Sequence, residues 1–299
     1  MVLCFLASCG KKIQLAVPEG FQEEVMLKMT PVKDQGKSEL CWVFAMLATI
    51  ETEHLMRGDS VNISTDFLAR KYLEEQAIER FRSHGEQRIS LRGMAPMALT
   101  LLRRYGAIPY DAYNTSEPIN YNVLCRRVEK AVDLAIAQRK DEKGCREAVV
   151  QLLDENIGYL PMFCFMYGCQ YTFLEFAHSV CERDEYQSLT SLKDYPYGET
   201  VVLPFKDNHY GCRALNVEPE KLVECIEESL RHGHPVMWEG GRNDDHAVCI
   251  IGMGKDKDGK EYFVAKNSWG EDNETRGMMY IDKKYISLHT AIAVKEAEQ

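Results

Sequence analysis

The stretch DQGKSELCWVFAMLATIE, residues 34–51, decides how this chain of 299 residues is read. It opens on polar, turn-prone residues and changes at once to Trp42, Val43, Phe44, Ala45, Met46 and Leu47. Apolar residues on nearly every side predict a buried central helix from about Cys41 to Met56, ended by Gly58-Asp59. Cys41 then stands at a helix N-terminus, where the helix dipole favours a thiolate. A cysteine at such a junction is either a core residue or a nucleophile, and the rest of the chain must decide.

Working outward, the front half reads as helical. Ser64 or Thr65 is the expected N-cap of a helix over DFLARKYLEEQAIERF. A helix from Pro96 to Tyr105 closes at Gly106, and two amphipathic helices fill 122–155. Further helices are expected at 170–180 and 219–232, the second with Pro219 in its first turn. After Pro235 the texture becomes strand-like. HAVCIIGMG and KEYFVAKNSW flank Asp258-Gly259, a hairpin signal, and GMMYIDKKYI and TAIAVKE continue the pattern. Helices in front and antiparallel strands behind give an α+β layout with two lobes.

Composition narrows the function. The chain is 45% hydrophobic and 27% charged, with a formal net charge of −10. Without a long basic run, a nucleic-acid partner is not expected. The 11 cysteines include no CxxC pair, so a zinc ribbon or a thioredoxin-type site is not expected, and most thiols are read as reduced and buried. No metal or organic cofactor is implied. His232 and His234 read as an exposed helix end, and Asp256–Gly259 as a turn that lacks the remaining ligands of a calcium loop.

Thiol-based acyl transfer needs a nucleophile, a base, a group that orients the base, and donors for the oxyanion. Cys41, His246, Asn267 and Gln35 are the candidates for these four roles. His246 heads a predicted strand, Asn267 follows the next one, and Gln35 lies shortly before Cys41. Trp269 is placed to shield the pair of His246 and Asn267 from water. Asp245 is assigned no role.

The order Gln35, Cys41-Trp42, His246-Ala247, Asn267-Ser268-Trp269-Gly270 resembles the papain-like cysteine peptidases. Ser38 stands where the usual signature has a disulfide cysteine, and this resembles the bleomycin hydrolase and aminopeptidase C branch. The segments EYQSLTS (185–191), LNVEPEKL (215–222) and KNSWGED (266–272) are similar to that branch as well. The interval from Cys41 to His246 exceeds the roughly 130–150 residues of the papain signature, and the helices at 122–155 fit an insertion. The resemblance covers most of residues 30–295. It implies a papain-like two-lobe fold, with a helical lobe whose central helix carries the nucleophile and an antiparallel sheet or barrel lobe. It also implies peptide-bond hydrolysis on a peptide or protein substrate. The lobes are expected mainly at 34–235 and 236–299 within a domain spanning 21–299.

Two departures qualify the resemblance. Gly36, Glu39 and Leu40 replace residues common around the nucleophile, so the oxyanion loop is expected to differ in shape. TAIAVKEAEQ reads as the last strand, so the terminal arm that the branch's aminopeptidases lay in the cleft is expected to be absent. Strict aminopeptidase behaviour is therefore not expected, and the oligomeric state is not legible. Residues 1–20 read as a tail or a truncated lipoprotein signal: Leu6-Ala7-Ser8-Cys9 resembles a bacterial lipobox, which would make Cys9 a lipid anchor and the bacterial cell envelope the location, with the cytoplasm as the alternative. Two other activities fit the same residues: an amide hydrolase or acyltransferase acting on small molecules, and a non-catalytic peptide-binding protein.

Overall fold

The computed structural model describes residues 13–115, 119–240, 246–286 and 290–295. Six helices come first: α1 (Cys41–Arg57), α2 (Thr65–Arg82), α3 (Ala95–Tyr105), α4 (Tyr121–Ala137), α5 (Glu142–Ile157) and α6 (Phe173–Val180). Helices α7 (Pro219–Arg231) and α8 (Lys283–Ile286) belong to the second lobe. The strands are β1 (Ile13–Gln14), β2 (Gln22–Met26), β3 (Cys164–Met166), β4 (Cys169–Tyr171), β5 (Tyr186–Thr190), β6 (Thr200–Val202), β7 (Arg213–Asn216), β8 (Val236–Gly240), β9 (His246–Lys255), β10 (Glu261–Lys266), β11 (Met278–Asp282) and β12 (Thr290–Lys295).

The helices begin and end where local chemistry dictates. The Ser64 hydroxyl accepts from the Phe67 N–H and caps α2. Thr172 and Glu175 form a reciprocal capping box on α6. Gly58 turns left-handed, with φ 87°, and closes α1, with its N–H and that of Asp59 returning to the last carbonyls. Leu40, by contrast, offers no side-chain acceptor to the first turn of α1.

One large sheet runs β1-β11-β10-β9-β8-β12-β5-β7-β6, with β2 added on β9, and β3-β4 form a separate hairpin. All pairings are antiparallel except β5 with β7. The sheet therefore starts well before residue 236: β2 and β5–β7 come from 22–26 and 186–216. Their short polar-flanked runs lacked the alternation seen after Pro235. The expected helix at 170–180 likewise begins only at Phe173, because residues 164–171 pair into the β3-β4 hairpin. Cys9 and the rest of the lipobox lie outside the described residues.

Two apolar cores result. One gathers α1–α6, and the other packs α7 against β8–β11. Helix α1 touches both: Trp42 to Leu47 enter the first and Ala48 the second. That explains its apolar perimeter, and it puts the N-terminus of α1 at the junction of the lobes.

Candidate active site

The first turn of α1 opens into a cleft of about 240 Å³. Gln35, Ser38, Glu39, Cys41, His246 and Trp269 line it from one side, and Arg92, Gly93, Met94 and Glu239 are also on its wall. All four sequence candidates are therefore assembled, with Asn267 immediately behind His246.

His246 opens β9, and Asn267 follows β10, the strand paired with it. Register thus brings the two together. His246 Nε2 lies 2.7 Å from Asn267 Oδ1. The same Oδ1 accepts from the Ser268 N–H at 2.8 Å, which marks that atom as the amide oxygen. An oxygen only accepts, so Nε2 carries the imidazole proton and Nδ1 keeps a lone pair. The Trp269 ring stacks on the imidazole at 4.8 Å between centroids, tilted by 23°. Burial lowers the His246 pKa, and the hydrogen bond to Asn267 opposes that shift.

Gln35 is held by loop geometry. Its Nε2 donates to the Ser38 carbonyl at 2.7 Å, and its Oε1 accepts from Ser268 Oγ at 2.5 Å. The Gln35 N–H bonds the Ser268 carbonyl at 2.9 Å, and Asp34 pairs with Trp269. The loop before Cys41 is thus tied to the loop that follows Asn267. Sequence reading had no signal for the part played by Ser268, because the two segments are distant in sequence and meet only through the fold.

A second missed feature is Gly93. A Cβ there would lie 2.6 Å from the Trp42 ring. Trp42 is buried and its Nε1 donates to the Leu91 carbonyl at 2.9 Å, so the 91–94 segment rests on the residue next to Cys41. Behind the site, between α1 and β10, lies a buried ionic chain. Lys33 Nζ meets Glu51 Oε1 at 2.6 Å, Thr30 Oγ1 donates to Glu51 Oε2 at 2.8 Å, and Lys266 Nζ donates to Thr30 at 2.7 Å. Burial lowers the Lys266 pKa despite Glu51 nearby.

The remaining thiols differ. None of the nine cysteines among the described residues is in a disulfide. Cys125, Cys145, Cys164 and Cys249 are buried, whereas Cys169 is exposed, so fewer are core residues than expected. Burial pushes Cys125 and Cys181 up to about 12 and Cys249 up to about 11, which holds them as thiols at neutral pH. No cluster among the described residues could hold a metal ion; His234 instead faces the buried Glu53 at 3.0 Å.

The α+β architecture, with His246 paired to Asn267 beside the cleft that Cys41 lines, is that of the papain-like fold. Residues 228–295 match the family described as Papain family cysteine protease. Cysteine endopeptidase RepA of Oryza sativa subsp. japonica is 42% identical over 257 residues, which is 85% of this chain and 49% of that protein. Aminopeptidase G of Lactobacillus delbrueckii subsp. lactis is 21% identical over 344 residues, covering 85% of this chain and 78% of that protein. The crystal structure of PepW from Lactobacillus rhamnosis HN001 superposes with a TM-score of 0.69 at 17% identity, over 92% of this chain and 82% of that one. The chain spans about half the length of RepA and 34% of a Theileria parva cysteine proteinase that it also matches. The chain has the papain-like fold, and its sequence is similar to papain-family cysteine proteases over residues 228–295 and to aminopeptidase G over most of its length.

Proposed function

We propose that the chain is a cysteine peptidase that cleaves peptide bonds through an acyl-enzyme. The observation that carries this reading is the 2.7 Å contact of His246 Nε2 with Asn267 Oδ1, in a cleft that Cys41 and His246 both line. With Nε2 committed to Asn267, Nδ1 is the basic nitrogen available to the Cys41 thiol. The Cys41 sulfur attacks the substrate carbonyl, and the carbonyl electrons move onto oxygen. The Cys41 N–H and the Gln35 amide stabilise that oxyanion. The oxyanion collapses, the C–N bond breaks, and the His246 imidazolium gives its proton to the leaving amine. Water, deprotonated by His246, then releases the acid and restores the thiol.

The test is an epoxysuccinyl peptide applied to the folded protein, with the adduct mapped by mass beside a Cys41→Ala control. One adduct per chain, on Cys41 and missing from the control, is the expected result. Labelling scattered over several cysteines, or no labelling of folded protein, rejects the reading. Substrates with free and blocked N-termini then separate aminopeptidase from endopeptidase action.

A further inference from the structure

The cleft that Cys41 and His246 line is unevenly charged. Its described lining residues include three carboxylates, Glu39, Asp207 and Glu239, and one guanidinium, Arg92. Arg92 Nε donates to Glu39 Oε1 at 2.8 Å, and Arg92 Nη1 lies 3.8 Å from Asp207 Oδ2. Three negative groups against one positive leave this wall acidic. Glu239 has a fixed place in it. On β8 it stands opposite Ala247 of β9, the residue after His246. Its Oε2 accepts from the N–H of Ala95, the first residue of α3, at 3.1 Å. An ionised carboxylate offers about four acceptor positions, so that bond aims the group without exhausting it. Met94, which is buried, and Phe205, which is half-buried, line the same cleft. Apolar surface beside a carboxylate suits a side chain with a methylene stem and a cationic head.

Sheet order gives the side of the scissile bond on which that head lies. Strand β9 runs between β10 and β8, so Asn267 and Trp269 flank His246 on one side and Glu239 on the other. In the reaction above the oxyanion turns to Gln35, which is tied to Ser268 on the β10 side. The leaving amine turns to His246. The acyl part of the peptide is left with the β8 side, where Met94, Phe205 and Glu239 form the wall. We propose that Glu239 selects peptides carrying a lysine or arginine side chain on the acyl side of the scissile bond. The inference rests on the peptidase reading and names its substrate class. The net charge of −10 draws the same class at longer range.

Acetylated fluorogenic peptides that differ only in Arg, Leu or Glu at the two residues before the scissile bond test it. The arginine peptides are expected to exceed the leucine peptides at least about tenfold in kcat/KM, and the glutamate peptides to be the poorest. In Glu239→Gln the amide oxygen still accepts from the Ala95 N–H but the charge is gone. The preference for arginine should then shrink to within about threefold, with the leucine peptides cleaved as before. Glu220→Gln removes the same charge from an exposed position on α7 and should leave the preference intact.

Calorimetric binding of the same peptides to Cys41→Ala reads selection without turnover, and the order of Kd should match. Arginine peptides that bind this variant about tenfold tighter than leucine peptides, yet are not cleaved by the wild type, would sustain Glu239 as the selector and sink the peptidase reading. Equal cleavage of arginine and leucine peptides would do the reverse. A preference that survives in Glu239→Gln overturns the proposal. So does a gain from a free α-amino group on the leucine peptides with none from arginine, which would make the cation an N-terminus and not a side chain.

Discussion

Gln35 and Ser268 are 233 positions apart in sequence, and their side chains meet at 2.5 Å. The hydroxyl donates to the amide oxygen, and so fixes which end of the amide is left to donate, to the Ser38 carbonyl in the loop before Cys41. Removing the donor itself, in Gln35→Ala, is expected to lower kcat about 10²- to 10³-fold. Ser268→Ala keeps the donor but frees its orientation, and about a tenfold loss in kcat is expected with KM little changed. Steady-state kinetics on one fluorogenic peptide checks both. Equal losses in the two variants would mean that Ser268 does more than aim Gln35.

The His246 imidazole should titrate below its ordinary value of about 6.5, since burial outweighs the help from Asn267. In a Cys41→Ala background, where no thiolate intervenes, NMR of the ring protons reads this directly. Asn267→Ala in the same background should lower the pKa further, because the hydrogen bond it removes favours the charged form. The sign for stability follows. The unfolded chain binds this proton more tightly, so the contribution of neutral His246 is intact above the unfolded pKa and is lost as pH falls through the folded one. A pKa that rises on losing Asn267 would contradict the geometry.

Glu51 is fully buried and accepts from Lys33, from Thr30 and from the Ile63 N–H at 2.9 Å. Glu51→Ala would leave the half-buried Lys33 with only the Ile63 carbonyl, and the buried Thr30 hydroxyl and Ile63 N–H without their acceptor. The expected cost is about 3–5 kcal/mol in urea unfolding. Exposed ion pairs such as Arg82 with Glu142 provide the contrast, and breaking that one should leave the unfolding midpoint nearly unchanged.

Gly93→Ala tests the contact beneath the cleft. The added methyl meets a ring that is fixed by its hydrogen bond to Leu91. Overpacking of this kind is expected to cost about 1–3 kcal/mol, and Trp42 fluorescence should report the displaced indole. An unchanged spectrum and an unchanged unfolding midpoint would mean that the 91–94 segment yields freely.

Much of this was legible beforehand. Helix α1 announced itself through apolar residues on all sides, and Ser64, Gly106 and Pro219 sit at the helix ends where capping chemistry put them. Cys41, His246 and Asn267 stand at the ends of α1, β9 and β10, boundaries that polarity patterns mark, and the fold brings them and Gln35 to one cleft. Ser268, Gly93 and Thr30 were not, because their importance lies in contacts across the lobes. The strands β5–β7 were missed for a related reason: at five, three and four residues they are too short for the alternation that reveals a strand.

Strand β12 has a consequence for how the molecule is made. It lies between β8 and β5, pairing with both. Until residues 290–295 leave the ribosome, β5, β7 and β6 have no hydrogen-bonded link to the strands that carry His246 and precede Asn267. A nascent chain can therefore build its helical half early but can join the two parts of its sheet only after residues 290–295 have been made. The last strand sewn in thus acts as a timer, holding back the finished sheet until synthesis has passed residue 295.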